Sequence, residues 1–116
     1  MTKLHYCKTN YTTKPPLDVN PLLLQKYRDK NLLIIASKEQ QYDRLLEYIR
    51  ECPIDHNCKV FVSSWWDLEG DLGLLTTTGE ISAKPLLYFD GVVIIGRERV
   101  DSRFEPLALE IERILK

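Results

Sequence analysis

Two groups of soft ligands are the first residues in this chain that suggest chemistry. Cys52, His56 and Cys58 lie close together, and His5 and Cys7 repeat the His-x-Cys spacing near the start of the chain. Thiolate and imidazole suit zinc, and four such ligands close a tetrahedral site. No Cys-x-x-Cys knuckle is present, however, and Cys58 stands where a strand is about to begin. The segment therefore reads as a helix-to-strand loop with partly buried thiols, and no metal is expected. A second place is Ser37-Lys38, where a strand-like run gives way to a helical pattern. A helix N-terminus offers free N–H groups and a positive dipole end, which favour an anion or a carboxylate. Lys38 adds a charge there; the plain alternative is a pair of solvated first-turn residues, Lys38 and Glu39. A third place is Trp65-Trp66. Adjacent side chains point in different directions, so one ring is expected in the core, with the other over the N-terminal segment or open to a partner. Exposed aromatics are enriched at interfaces.

The elements that must position these residues follow from hydrophobic period and punctuation. Lys3 to Cys7 suits a short strand, and Lys8 to Asn20, with Pro15-Pro16, reads as an extended segment. Asn20-Pro21 has the N-cap and N1 residues of a helix through Leu22, Leu23, Leu24 and Tyr27. Asn31 to Ala36 is a continuous apolar run, the pattern of a strand buried on both faces. Ser37 and Gln40 have capping-box spacing, and Tyr42, Leu45, Leu46 and Ile49 then share one helical face up to Pro53. Lys59 to Ser63 is a second strand, with Val60 and Val62 on one face. Leu68, Leu72 and Leu75 line one face of a helix that Gly70 and Gly73 weaken. The last helix is expected from Ser102, with Glu105 completing a capping box and Leu107, Ile111, Ile114 and Leu115 forming its stripe. Arg97, Glu98 and Arg99 read as a solvated loop.

Between these helices, Leu86 to Phe89 and Val92 to Ile95 flank Asp90-Gly91, a strong hairpin signal because a type I′ turn needs positive φ at both central residues. Pro85 stands before the first run, where a proline can open a strand. The predicted order is β-α-β-α-β-β-α: a parallel pair, an antiparallel hairpin, and a mixed sheet with helices on both faces.

Over residues 31–116 this order resembles the thioredoxin-like superfamily, and the pattern is most similar to glutaredoxin domains. Three features carry the resemblance: the strand and Ser-Lys of Leu32 to Lys38, the Lys84-Pro85 pair, and Asp90-Gly91 with Gly96. It implies an α/β thioredoxin-like domain over 31–116 and an N-terminal arm with a short helix over 1–30. It also implies a cis-proline at Pro85, facing the helix start after Ser37. At the family's cysteine positions this chain has Gln40 and Asp43 if Tyr42 takes the tyrosine position, with one residue fewer after Lys38. Neither residue can attack or resolve a disulfide, since that chemistry needs a thiolate. A redox-inactive domain binding a protein or peptide partner is therefore expected. Ser37, Lys38, Tyr42, Lys84, Pro85, Trp65 and Trp66 are its candidate contacts, with Lys84 at the rim of the groove. No cofactor is expected, although the resemblance leaves glutathione possible. The resemblance also allows a glutathione-transferase-like enzyme using the hydroxyl of Ser37 or Tyr42. A third alternative is a viral or accessory protein that targets a host macromolecule.

Composition bounds the rest. The chain has 116 residues, 44% hydrophobic and 28% charged, with a net charge of -1. That suits one globular domain with a modest core and gives no global pull toward nucleic acid or an anionic membrane. The apolar runs are too short to span a bilayer, and the first residues lack the apolar stretch of a signal peptide. Three cysteines, an odd number, argue against a disulfide framework, so a reducing, cytoplasmic setting is expected. Leu22, Leu23, Leu24 and Tyr27 are too apolar for a free tail, so they should be buried on this chain or in a homodimer formed through the arm.

Overall fold

Four short runs form one sheet: β1 (Lys3–Cys7), β2 (Asn31–Ala36), β3 (Lys59–Ser64) and β4 (Gly91–Ile95). The structure is a computed structural model, and it describes residues 2–7, 21–36, 57–68 and 82–116, with the helical positions Glu47 and Arg50. The strand order is β1-β4-β2-β3, and every pairing is parallel. Parallel sheets are covered on both faces. This is why the two central strands read as unbroken apolar runs: Leu32 to Ala36 and Gly91 to Ile95 are all buried.

Helices α1 (Pro21–Lys26) and α2 (Glu105–Leu115) cover opposite faces. Side chains alternate along each strand. Leu32, Ile34, Val62, Val93 and Ile95 pack under Leu24 and Tyr27. Leu33, Ile35, Val92 and Ile94 pack under Leu107, Ala108 and Ile111 of α2, together with Trp65, Leu68, Leu86 and Phe89. The step from β1 to β2 crosses the sheet one way, and the step from β3 to β4 crosses it back. Right-handed crossovers then require opposite faces, and the described parts of the two connections obey this.

The predicted adjacency of β2 and β3 is observed, in register from Asn31↔Lys59 to Ala36↔Ser64. The predicted hairpin is not. Lys84–Tyr88 is a 3-10 turn with Pro85 in its opening positions, and β4 then lies parallel to β1 and β2. Among the described residues the sheet is thus parallel rather than mixed, and the β-β pair of the expected order is missing. The physical reason is period. Leu86 and Phe89 are buried while Leu87 and Tyr88 are exposed, the i, i+3 pattern of three residues per turn rather than strand alternation. Gly91 serves a different purpose from a turn glycine: a Cβ there would lie 2.6 Å from Cζ of Tyr27.

Of the expected N-terminal arm, β1 joins this sheet and Leu24 and Tyr27 pack on its face. β1 pairs along β4 from Lys3↔Gly91 to Cys7↔Ile95, and Leu24 and Tyr27 are buried. The helix predicted after Ser37 lies largely outside the described residues; Glu47 and Arg50, both off its apolar stripe, are helical and exposed. At the other end the predicted cap moves by one residue. The Asp101 carboxylate accepts from the Arg103 N–H at 3.0 Å and starts a 3-10 turn, Ser102–Phe104, that leads into α2. Among the described residues no helix is long and apolar enough to cross a membrane.

Candidate functional site

The 3-10 turn is pinned across the amino end of the sheet. The Asn31 N–H donates to Oδ2 of Asp90 at 2.9 Å, and the Asp90 N–H donates to the Asn31 carbonyl at 2.9 Å. From the β1 side, the Thr2 hydroxyl donates to the Phe89 carbonyl at 2.5 Å. Buried Leu86 and Phe89 anchor the turn in the core, which leaves Leu87 and Tyr88 outside. Between the turn and the first residues of β2 and β3 lies an open groove of about 500 Å³. Asn31, Lys59, Val60, Phe61, Pro85, Tyr88 and Phe89 line it.

Three aromatic rings run through this groove. Phe61 lies 6.2 Å from Phe89 at a tilted angle, and Tyr88 meets Phe89 edge-on at 5.5 Å. Tyr88 is 74% exposed and Phe61 42%. Beside them runs β3, an edge strand to which no further strand pairs among the described residues. Among the described residues, Lys59 and Tyr88 are the only ionisable side chains in the lining. The chemistry on offer is apolar contact, ring stacking, main-chain hydrogen bonding along an edge, and one cation.

Of the predicted site residues, the four that the structure describes lie at two ends of the sheet. Pro85 lines the groove, and Lys84 beside it is exposed. Ser37, Lys38 and Tyr42 lie outside the described residues, but the chain leaves β2 at Ala36, the carboxyl end of the sheet. Pro85 sits at the amino end, and a six-residue strand is about 20 Å long. Pro85 therefore lies at the opposite end of β2 from Ala36. Trp65 is 2% exposed, and its indole N–H meets no acceptor among the described residues. Trp66 is 48% exposed, as one ring of the pair was expected to be. It packs edge-on against Phe104 at 4.8 Å, beneath the Arg103 guanidinium at 4.6 Å. Both tryptophans follow the carboxyl end of β3, away from the groove.

Other polar groups serve the scaffold. Cys7 ends β1 at one end of the sheet, while Cys58 precedes β3 at the other. These two thiols cannot join a single metal site. Among the described residues no three metal-ligating side chains cluster. Burial pushes the Cys58 thiol up to about 11, so it is protonated at neutral pH and a poor nucleophile. Nε2 of His5 lies 2.5 Å from the Tyr27 hydroxyl and ties β1 to the end of α1. Burial, with Lys26 and Lys3 nearby, holds His5 below its ordinary value. Arg97 is not the solvated loop residue expected. Its guanidinium grips both oxygens of Glu105 at 2.7 and 3.1 Å and Oε1 of Glu112 at 2.9 Å. Glu112 in turn accepts from the Tyr6 hydroxyl. Those bonds hold the Glu105 carboxyl below its usual range, with the Arg97 hydrogen bond the largest cause. For Glu112, burial pushes up, but bonds from Tyr6, Arg97 and Lys116 outweigh it and leave the carboxyl low.

Sequence reasoning missed Phe61, Tyr88, Lys59 and Asn31. One signal was available: Val60 and Val62 share a face, so Phe61 between them must point to the other. Comparison of the chain with protein-family models, with curated proteins and with solved structures finds no match.

Proposed function

We propose that this chain is a non-catalytic binding domain whose groove takes an extended segment of a partner protein. The observation that carries the proposal is the exposure of Phe61 and Tyr88 beside β3, an edge strand among the described residues. An edge strand presents unpaired main-chain groups, and an extended peptide satisfies them by adding a strand. Exposed rings next to that edge supply pockets for alternate side chains, and Tyr is among the residues enriched at binding hot spots. This reading keeps two things that the thioredoxin-like resemblance implied: no redox centre, because Gln40 and Asp43 replace thiols, and a partner surface at Lys84-Pro85. It moves that surface from the helix start after Ser37 to the amino end of β2 and β3.

Selection from a display library of random eight-residue peptides tests the proposal, with a Phe61→Ser/Tyr88→Ser double variant in parallel. Peptides retained by the wild type and lost by the folded double variant support it. If no peptide is retained, or retention survives in the double variant, the groove is not the site. A glutathione titration of both proteins belongs in the same experiment. Millimolar glutathione binding that ignores the double substitution, with no peptide retained, points instead to the glutathione alternative.

A further inference from the structure

We infer that the segment taken by the groove is acidic; this rests on the peptide-binding reading above. The whole chain is nearly neutral, at -1, but its charges are not spread evenly. Lys3 and Lys59 open β1 and β3, and Lys84 opens the 3-10 turn. Lys26, Arg28 and Lys30 lie in the stretch that leads from the end of α1 into β2. All six stand at the amino end of the sheet, the end that carries the groove. None of them forms an ion pair among the described residues.

Among the described residues, the carboxylates of the same end are fewer and already engaged. Asp29 accepts from the Asn57 side-chain amide, and Asp90 accepts from the Asn31 N–H. Glu110 approaches the turn from α2 through the Ala83 backbone, and it is paired with Arg113 at 2.7 Å. Among the described residues, six cations without an ion pair therefore stand against three carboxylates that are already engaged. Such a patch raises the local concentration of anionic ligands and fixes their register.

Three occupants fit an aromatic groove with a basic surround: an acidic peptide, a single-stranded nucleic acid, or a second copy of this chain. Lys59 on the edge strand argues against a second copy, because lysine at an edge is a common guard against edge-to-edge pairing. Nucleic acid satisfies the rings and the lysines but adds no strand at the outer edge of β3. An extended acidic peptide satisfies all three features. Its backbone pairs with β3, its apolar side chains meet Phe61 and Tyr88, and its carboxylates meet Lys59 and Lys84.

The test uses the folded full chain and the same random eight-residue library, at 50 and 300 mM salt. The expected result is enrichment of Asp and Glu among retained peptides. Binding of the best peptide should weaken about three- to tenfold on Lys59→Glu/Lys84→Glu, from the loss of exposed pairs and the new repulsion. It should also weaken several-fold at the higher salt. Peptides retained without acidic enrichment, or unaffected by the charge reversal, overturn this inference and leave the groove reading standing. Retention of no peptide overturns both. A dodecameric oligo-dT probe that binds more tightly than every selected peptide, and loses binding on Lys59→Glu/Lys84→Glu, overturns the peptide in favour of nucleic acid.

Discussion

Gly91→Ala separates the parallel packing from the hairpin that the sequence suggests. A Cβ at position 91 would lie 2.6 Å from Cζ, 2.7 Å from Cε1 and 2.8 Å from the hydroxyl of Tyr27. Non-bonded carbons settle at about 3.5–4.0 Å, so the ring must move by roughly 1 Å. Tyr27 has little room to do so: it is 4% exposed, sits among Leu24, Leu32 and Val93, and holds His5 through its hydroxyl. Overpacking of this kind costs about 1–3 kcal/mol. We expect a loss of about 2 kcal/mol, which is roughly 30-fold in the folding equilibrium. That corresponds to a fall in Tm of about 8 °C for a chain of this size. Urea unfolding at constant m-value measures it. The decisive comparison is the same substitution in a Tyr27→Leu background, where the clash is removed and most of the cost should vanish. A type I′ turn at Asp90-Gly91 predicts the opposite, because its penalty for positive φ does not depend on Tyr27. A Gly91→Ala variant within about 0.5 kcal/mol of wild type, the range of ordinary surface changes, would refute the packing described for α1 on the sheet.

Other outcomes follow from the same contacts. Tyr88→Ser should change stability by less than about 0.5 kcal/mol, because the ring is 74% exposed, while abolishing retention of selected peptides. Arg97→Ala should cost about 2 kcal/mol in urea unfolding, since it strips charged hydrogen bonds from Glu112, whose side chain is 16% exposed. Glu105 and Glu112 are held low in the fold, so the stability they contribute is present above about pH 4.3, the unfolded value, and is lost as pH falls through the lower folded values. The acid-induced fall in urea midpoint should be shallower in Arg97→Ala than in wild type. His5 is also held low, so the unfolded chain binds its proton first and stability should drop as pH falls below about 6.5; His5→Gln should flatten that part of the profile. Native Cys58 should react slowly with an aromatic disulfide reagent at pH 8, well below its value of about 11, and quickly once unfolded. The chain should not reduce insulin disulfides above background.

Much of the scaffold is legible in the residues because burial on both faces leaves a simple mark. Leu32 to Ala36 reads as a buried strand and is one, and its parallel partner begins at Lys59 as the alternation of Val60 and Val62 indicates. The stripe of Leu107 and Ile111 places α2 against the sheet. The failures sit where one local pattern serves two geometries. Leu86 to Phe89 is apolar throughout, so sequence alone does not show that positions 86 and 89 turn inward together rather than alternating. Asp90-Gly91 meets the needs of a tight turn, yet here Asp90 clamps Asn31 and Gly91 makes room for a ring from α1's end. Arg97 looks like any loop cation until α2 brings Glu105 and Glu112 to it. The groove was least legible of all, because it joins residues from three separated segments, 31, 59–61 and 85–89. Nothing in any one of them marks it.

The proposed binding surface is the amino end of β2 and β3, with the 3-10 turn. Amide chemical-shift mapping on the full-length, isotope-labelled chain with the best selected peptide tests it most directly. The largest shifts are expected at residues 59–61 and at Lys84 and Leu86 to Phe89, with Trp66 and Arg97 undisturbed. Shifts concentrated at Trp66, Arg97 and the exit from β2 at Ala36, with the groove unmoved, would contradict it and return the site to the carboxyl end of the sheet.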